Sequence, residues 1–518
     1  MTLPESLEPE RLRRLTRFVV HGPNAAVTTP TAAFTGLPTV PVPLSSDADL
    51  DVAFATARTA QQAWMRRPLA ERVAVARRAQ RLVLQRRERL IDLVQFEAGK
   101  ARLHAFEETI DVAINAGYYS RRAASFLGPY GLRGFVPALT TATAYHQPKG
   151  VVAMITPWNY PLNLALSDSI PALLAGNAVV VKPDLQTPFC ALAGAELLAD
   201  AGLPEGLYQV VLGPGPHIGP ALIDRADFVA FTGSTAVGRQ VAERAGRRLI
   251  GCSLELGGKN AALVLPDAPM SRSVEGVVRS LFSSAGQLCV SMERVYVHDA
   301  IYDRFVPALV RAVEAMRLGS DFDYTADMGS LVGQSQLRRV QQHVDDAVAK
   351  GATVLAGGHP RPDLGPHFFE PTLLTDVTDD MEVCASETFG PVGTLYRVGS
   401  TQEAIDDANA TPYGLSANVW TGDPSEGRRV ASALRAGSVS VNETYAAFWG
   451  SIDGPMGGMN DSGLGRRHGR EGLVKYTDPQ TVAVQRWRGF AVPRGVSQRR
   501  FADGMTLGVR LLDRLGRP

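Results

Sequence analysis

Three short stretches of the chain carry side chains able to make and break bonds. The first is Gly286-Gln287-Leu288-Cys289. It follows a helical run and precedes an apolar strand at Arg294–Val297, and a cysteine close to a glycine at such a junction is placed to meet a ligand. The second is Glu255-Leu256-Gly257-Gly258-Lys259-Asn260, where a carboxylate sits inside the apolar strand Ile250–Leu256. Burial there would raise its pKa toward the range of a useful general base. The third is Ile155-Thr156-Pro157-Trp158-Asn159-Tyr160-Pro161. Prolines on both sides restrict the backbone, and Asn159 offers an amide donor at a strand end, although an asparagine before a helix also serves as its N-cap. The other thiols, Cys190, Cys252 and Cys384, lie in apolar or strand-like surroundings and read as structural.

The elements that must position these groups form a pattern. To about Pro129 the chain reads as helices, with Leu50, Phe54, Ala57 and Trp64 at helical spacing. Thr140–Tyr145 alternates and is rich in threonine, which predicts a hairpin arm. From Lys149 short apolar runs alternate with helical stretches: Val151–Ile155, helix Leu162–Leu174, Ala178–Val181, helix Phe189–Asp200, Tyr208–Leu212, Phe228–Phe231, helix Val237–Ala245 and Leu249–Leu256. That pattern predicts a doubly wound parallel sheet, whose ligands sit at the carboxyl ends of the strands. A second α/β segment runs from about Lys259 to Ser440, with helices Ser273–Ser284 and Ile301–Met316 and a strand Gly437–Asn442. A Gly-rich stretch, Gly454–Gly469, and a last strand, Thr481–Gln485, follow.

Composition narrows the field. The chain has 518 residues, 45% of them hydrophobic and 20% charged, enough for about three domains. Lys+Arg is 53 against Asp+Glu 52, a net charge of +1, so nothing global favours a nucleic-acid or polyanion partner. Four cysteines without a CxxC pair exclude a disulfide scaffold and a cysteine zinc site. No apolar run approaches the ~20 residues that span a bilayer and no signal peptide is evident, so a cytoplasmic location is expected. The last stretch, Arg486–Pro518, holds eight arginines and two aspartates, with apolar residues spaced at Phe501, Met505, Val509 and Leu512.

Taken in order, Pro157-Trp158-Asn159, Lys182-Pro183, Phe231-Thr232-Gly233-Ser234, Glu255-Leu256-Gly257-Gly258-Lys259, the Cys289 loop and Glu387-Thr388-Phe389-Gly390-Pro391 resemble the aldehyde dehydrogenase superfamily over roughly residues 40–485. Within it the sequence is most similar to the succinate-semialdehyde dehydrogenase branch, in its second mycobacterial-type form. The resemblance implies an α/β fold with a Rossmann-type parallel-sheet cofactor domain (1–131 and 149–256), an α/β catalytic domain (257–470), a small oligomerisation β-arm (132–148 and 471–485) pairing across subunits, and the Arg-rich tail (486–518). A homodimer or homotetramer is implied, with no metal. The tail reads as a helix on a neighbouring subunit or a frayed end, with a membrane anchor as the alternative.

The resemblance also implies roles. Cys289 would attack the aldehyde carbon as a thiolate, the Cys289 N–H and the Asn159 amide would hold the oxyanion, and Glu255 would activate water to hydrolyse the thioester. Lys182 and Glu387 would hold ribose hydroxyls, with Phe389 beside the nicotinamide. Ile155, Thr156, Trp158, Asp184 and Leu256 would also line the cofactor site. Gly233, Ser234 and Val237 open a helix suited to phosphate. Gly213-Pro214-Gly215 lacks the Rossmann spacing, and Gly215 is expected in a loop beside the adenosine.

Leu185 stands where many NAD-preferring members carry a glutamate. Without that carboxylate a 2′-phosphate is not repelled, so NADP is expected and NAD is the alternative. Ser167 and Ser283 stand where this branch holds the substrate's far carboxylate with arginines. Tyr160, Asn163, Leu164, Ser167, Leu288, Val290, Tyr445, Phe448 and Trp449 are the expected pocket. Their mostly apolar character admits a bulkier apolar or aromatic aldehyde beside succinate semialdehyde. A non-catalytic or membrane-associated relative is the alternative of another class.

Overall fold

A computed structural model of the chain describes residues 3–133, 140–486, 491–514 and 516. The apolar runs after Lys149 become five parallel strands, ordered Tyr208–Val210, Ala178–Lys182, Val151–Ile155, Phe228–Thr232 and Gly251–Glu255, and the short antiparallel strand Gly463–Leu464 closes one edge. Every residue of Val151–Ile155 and Ala178–Lys182 is buried, because helices cover both faces. Strand order reverses between Val151–Ile155 and Phe228–Thr232, and the residues that follow these two strands are Thr156–Asn159 and Gly233-Ser234. Such a reversal opens a crevice at the carboxyl edge.

The N-terminal helices pack on this sheet. Asp47–Trp64 starts in a capping box between Ser46 and Asp49 and buries Leu50, Phe54, Ala57 and Trp64. The Trp64 indole N–H donates to the Leu173 carbonyl at 2.8 Å.

The single helix expected over Leu162–Leu174 is two, Pro161–Leu166 and Ser169–Leu174. Pro171 has no N–H to return to the Ser167 carbonyl. The adjacent Asp168 lies in ion pairs with Arg467 Nε at 3.0 Å and Lys475 Nζ at 3.4 Å.

The second sheet has seven strands, ordered Thr353–Ala356, Thr372–Thr375, Val392–Val398, Met292–His298, Asn260–Val264, Ser416–Trp420 and Ser438–Val441. Only the first pair is antiparallel. Residues Leu256–Lys259 are the short link from the last long strand of one sheet to Asn260–Val264 of the other. Glu255 and the Cys289 loop therefore meet at the seam.

A third, antiparallel sheet joins Tyr130–Leu132, Thr140–Pro148 and Thr477–Gln485. The two segments expected to pair across subunits pair with each other, from Thr477 opposite Pro148 to Gln485 opposite Thr140. Residues 134–139 of the expected arm, and 487–490, 515, 517 and 518 of the tail, lie outside the described residues. The tail forms a helix, Gln498–Arg514, with no buried residue. No described helix is long and apolar enough to cross a membrane.

Candidate active site

The loop that carries Cys289 is built on unusual backbone. After the helix Met270–Phe282, Ser284, Ala285 and Gly286 adopt φ of +53°, +56° and +71°. Left-handed conformations cost a non-glycine residue roughly 1–2 kcal/mol each, so the surroundings must hold them. The Ser284 N–H donates to His104 Nδ1 at 3.2 Å, and burial pushes His104 down to about 3, which keeps that nitrogen an acceptor. Tyr160 Oη and Ser284 Oγ share a hydrogen bond of 3.1 Å. Gln287 Oε1 accepts from the Val332 N–H at 2.9 Å, and Asn260 Nδ2 donates to the carbonyls of Cys289 and Ser291, both at 2.8 Å. Gly286 cannot be replaced freely, since a Cβ there would lie 2.0 Å from the Gly390 carbonyl oxygen.

Asn159 is not a helix cap. Its Nδ2 donates to the Gln287 carbonyl at 3.0 Å and so ties the end of strand Val151–Ile155 to the Cys289 loop. The helix Pro161–Leu166 is instead started by the buried Glu108, whose Oε1 accepts from the N–H groups of Leu162 at 2.8 Å and Asn163 at 3.1 Å.

Glu255 is buried at the end of its strand, and neither carboxylate oxygen has a hydrogen-bond partner among the described residues. Burial raises its pKa to about 7, and the nearby charge of Arg467 limits the rise. Burial, then the Glu255 charge, push the Cys289 thiol up to about 12. The chemistry open to this pair is proton transfer from a weakly acidic thiol, or from water, to a carboxylate free to accept it.

Cys289, Asn159 and Thr232 line two cavities at once. One is walled by Tyr160, Asn163, Leu164, Leu288, Val290, Tyr445, Phe448 and Trp449, together with Glu107, Asp111, Met456, Arg467 and His468. Ser167 does not line it, and its buried Oγ lacks a hydrogen-bond partner among the described residues. The other is walled by Trp158, Gly233, Ser234, Glu255, Leu256, Gly257, Glu387 and Phe389, with Gln336 and Arg339.

The second cavity is held by charge. The Gly258 N–H donates to Glu387 Oε1 at 2.9 Å, and a Cβ on Gly257 would fall 2.4 Å from the same carboxylate. Burial and Glu293 raise the Glu387 pKa to about 7. Glu293 is itself buried, paired with Lys259, and accepts the N–H groups of Thr388 and Phe389 at 2.9 Å. Phe389, at φ +56°, meets Trp158 edge to face at 5.5 Å between ring centres.

The remaining expected residues lie along the carboxyl edge of the first sheet. Ile155 is in register with Lys182, and the Thr156 N–H donates to the Lys182 carbonyl at 3.0 Å. Ile155 and Thr156 line a small cavity behind Glu255. The Lys182 ammonium is buried, its pKa lowered by that burial, and it makes no hydrogen bond or ion pair with a described residue. Asp184 turns back to accept the Gln186 N–H at 2.9 Å, and Leu185 packs against the core. The Val237 N–H donates to Ser234 Oγ at 3.4 Å, capping the helix Thr235–Arg247. Gly215 is exposed at the start of helix Gly215–Arg225 and lines neither cavity. A buried cation with no direct ion pair, together with a helix N-terminus at Ser234, suits a phosphate-bearing dinucleotide. Among the described residues no group of His, Cys, Asp or Glu could hold a metal ion.

Sequence reasoning missed Arg467, Glu293, Gln336 and Arg339. Gln336 donates to the carbonyls of Thr388 and Phe389 at 3.1 and 2.7 Å, and Arg339 to that of Glu387. The one signal available was the Arg466-Arg467-His468 run within an otherwise Gly-rich stretch.

Residues 22–482 match the model of the aldehyde dehydrogenase family. A Mycolicibacterium smegmatis protein provisionally named as an NADP+ succinate-semialdehyde dehydrogenase is 51% identical over 93% of each chain. Among solved structures, an Escherichia coli NADP-dependent enzyme superposes with a TM-score of 0.86 at 34% identity, covering 90% of this chain and 96% of that one. A Bacillus cereus aldehyde dehydrogenase in complex with NAD+ gives 0.85 at 33% identity, covering 89% and 94%.

Proposed function

The chain belongs to the aldehyde dehydrogenase family, and from that premise we propose that it oxidises succinate semialdehyde to succinate with NADP through a thioester on Cys289. The observation that carries the chemistry is the pairing of an accessible cysteine with a buried, unpartnered carboxylate at the meeting point of two cavities.

With its thiol held near 12, Cys289 needs a base, and Glu255 is the carboxylate free to take the proton from Sγ. Sγ then bonds to the aldehyde carbon. The oxygen that becomes negative lies with the Cys289 N–H and the Asn159 amide, which the Gln287 carbonyl already orients. NADP, when bound, supplies the hydride acceptor. Collapse leaves the acyl group on Cys289; Glu255 then releases the thiol's proton to solvent, takes a proton from the water that attacks the thioester, and returns it to the departing sulfur, releasing the acid and the thiol. Lys182, Glu387 and the N-terminus of helix Thr235–Arg247 would hold the cofactor, with Trp158 and Phe389 bordering its reactive end.

NADP is favoured over NAD because Leu185 places no carboxylate there and Asp184, whose charge still reaches Lys182, is turned back onto the Gln186 N–H and makes no ion pair with it. The name of the Mycolicibacterium relative supports the same pair of cofactor and substrate. Tyr445, Phe448 and Trp449 favour a second reading, oxidation of bulkier apolar or aromatic aldehydes. We also assign residues 1–131 and 149–256 to cofactor binding and 257–470 to catalysis. The exposed Tyr145, Val482 and Val484 of the arm support a homodimer or homotetramer, and a cytoplasmic location is consistent with the free thiols.

Steady-state kinetics with NADP and NAD on succinate semialdehyde, hexanal and benzaldehyde test the reading. The expected result is the highest kcat/KM for NADP with succinate semialdehyde. A higher value with NAD refutes the cofactor choice, and a higher value with benzaldehyde or hexanal selects the second reading.

A further inference from the structure

A substrate with a carboxylate at its far end needs a cation in the pocket, and the two positions where an arginine was expected supply none. Ser167 does not line the cavity, and Ser283 Oγ donates to the Arg279 carbonyl at 2.8 Å. Resting on the dicarboxylic semialdehyde reading above, we propose that Arg467 is the residue that binds the substrate's far carboxylate.

Arg467 lines the same cavity as Cys289 and is only 8% exposed. Its main chain is fixed by a two-way bridge to Met456, with N···O distances of 2.6 and 2.8 Å. Its Nε lies 3.0 Å from Asp168 Oδ2 but out of line for a hydrogen bond. No guanidinium nitrogen of Arg467 donates a hydrogen bond to any described residue. Nε faces Asp168, and the four Nη–H donors meet no described residue, so the fork is available to a ligand in the cavity. A carboxylate, accepting two parallel N–H bonds from the planar fork, matches it in charge and shape.

The surrounding charges permit this. Asp168, the nearest anion, is also faced by Lys475 Nζ at 3.4 Å and receives the Tyr476 hydroxyl at 3.4 Å, so it stays compensated when Arg467 engages a ligand. Asp111 is occupied by Asn163 Nδ2. His468 is held neutral by burial and adds no competing charge. Glu255, the other anion that faces Arg467, gives up its charge when it takes the thiol proton. The apolar walls from Leu288, Val290 and Phe448 then cover the methylene chain between the two ends.

The test compares succinate semialdehyde with butanal, its neutral counterpart in chain length, in wild type, Arg467→Gln and Arg467→Lys. Arg467→Gln should lower kcat/KM for succinate semialdehyde roughly ten- to a hundredfold, as for loss of a charge-assisted hydrogen bond, mostly through KM. Loss of the Arg467 charge beside Glu255 and Cys289 acts on both aldehydes alike, so kcat/KM for butanal should fall roughly tenfold less than that for succinate semialdehyde, and Arg467→Lys should recover part of the selective loss. Equal losses on both aldehydes, or no loss on either, overturn the proposal, because an arginine acting only through Glu255 or Cys289 would not distinguish them.

If Arg467→Gln does not fold, Arg467→Met, which keeps the length of the side chain without its charge, replaces it in the same comparison. A selective loss on succinate semialdehyde supports the anchor, and an unchanged ratio of the two aldehydes overturns it. Wild type that does not prefer succinate semialdehyde over butanal removes the substrate reading and the anchor together. Wild type that does, with an unchanged ratio in Arg467→Gln, removes only the anchor.

Discussion

Glu255→Gln should stabilise the protein at alkaline pH while removing its activity. Glu255 is buried at 6% exposure without a hydrogen-bond partner among the described residues, and burial raises its pKa to about 7 against an ordinary 4.5. Ionising it in the folded chain therefore costs ~3 kcal/mol more than in the unfolded chain. The folded state holds the proton more tightly, so this stabilising preference is fully present below pH 4.5 and is lost as pH rises through 7. Glutamine keeps the shape and carries no charge, so the ~3 kcal/mol penalty disappears above pH 8 and nothing changes near pH 4.

Thermal unfolding of the cofactor-free protein, wild type against Glu255→Gln, from pH 4.5 to 9, measures this. The two Tm curves should converge at the acid end and separate by several degrees at the alkaline end, with the variant higher. Turnover should fall about 10²–10⁴-fold, the usual worth of a general base, while cofactor binding persists. A variant that melts below wild type at pH 8.5 would show that Glu255 is satisfied as an anion in the fold, and the argument for a free base would fail.

Three further outcomes follow from the packing. Gly286→Ala places a Cβ 2.0 Å from the Gly390 carbonyl at φ +71°, so it should cost at least ~1–3 kcal/mol by chemical denaturation and lower kcat by displacing Cys289. Lys182→Ala removes a buried cation that makes no hydrogen bond or ion pair among the described residues, so Tm should hold or rise while the KM for NADP climbs roughly tenfold or more; a fall in Tm with unchanged KM would make Lys182 structural. Glu293→Gln leaves Lys259 buried and unpaired, for a loss of about 3–5 kcal/mol, and loosens the Thr388-Phe389 turn, which a raised cofactor KM would report.

Much of this site was legible because its parts are punctuated in the sequence. Glu255 stands directly before Leu256-Gly257-Gly258, and Asn159 between two prolines, so strand ends and hence the ligand edge could be located from residue types alone. Cys289 stood out for the same reason. What failed depended on contacts distant in sequence. The break between Leu166 and Ser169 is set by Pro171 and by Asp168 reaching residues near the C-terminus. The strand Asn260–Val264 follows Gly257-Gly258 with no turn signal of its own to mark it. Arg467 sits in a Gly-rich stretch that reads as surface loop, and only the fold turns its side chain into the cavity shared with Cys289. Ser167 failed in the opposite sense: its place in the motif suggested the pocket, yet a helix end directs it elsewhere.

The two acids at the seam also constrain each other. The Glu255 carboxylate raises the Cys289 thiol, and a thiolate would in turn oppose a charged Glu255. Around neutral pH the pair therefore carries at most one negative charge, not two, and behaves as a coupled one-proton system. As pH rises through 7 that charge forms on Glu255, because the thiol stands far higher. Moving the thiol proton to Glu255 shifts the charge to sulfur without adding a second, so the repulsion that raises the thiol vanishes in the same step. Acylation of Cys289 then removes the sulfur's charge altogether, and Glu255 can ionise again to deprotonate water. A base tied by hydrogen bonds or held well below neutrality could serve neither half of this sequence, which is why burial without partners at Glu255, costly for stability, is the arrangement the chemistry requires.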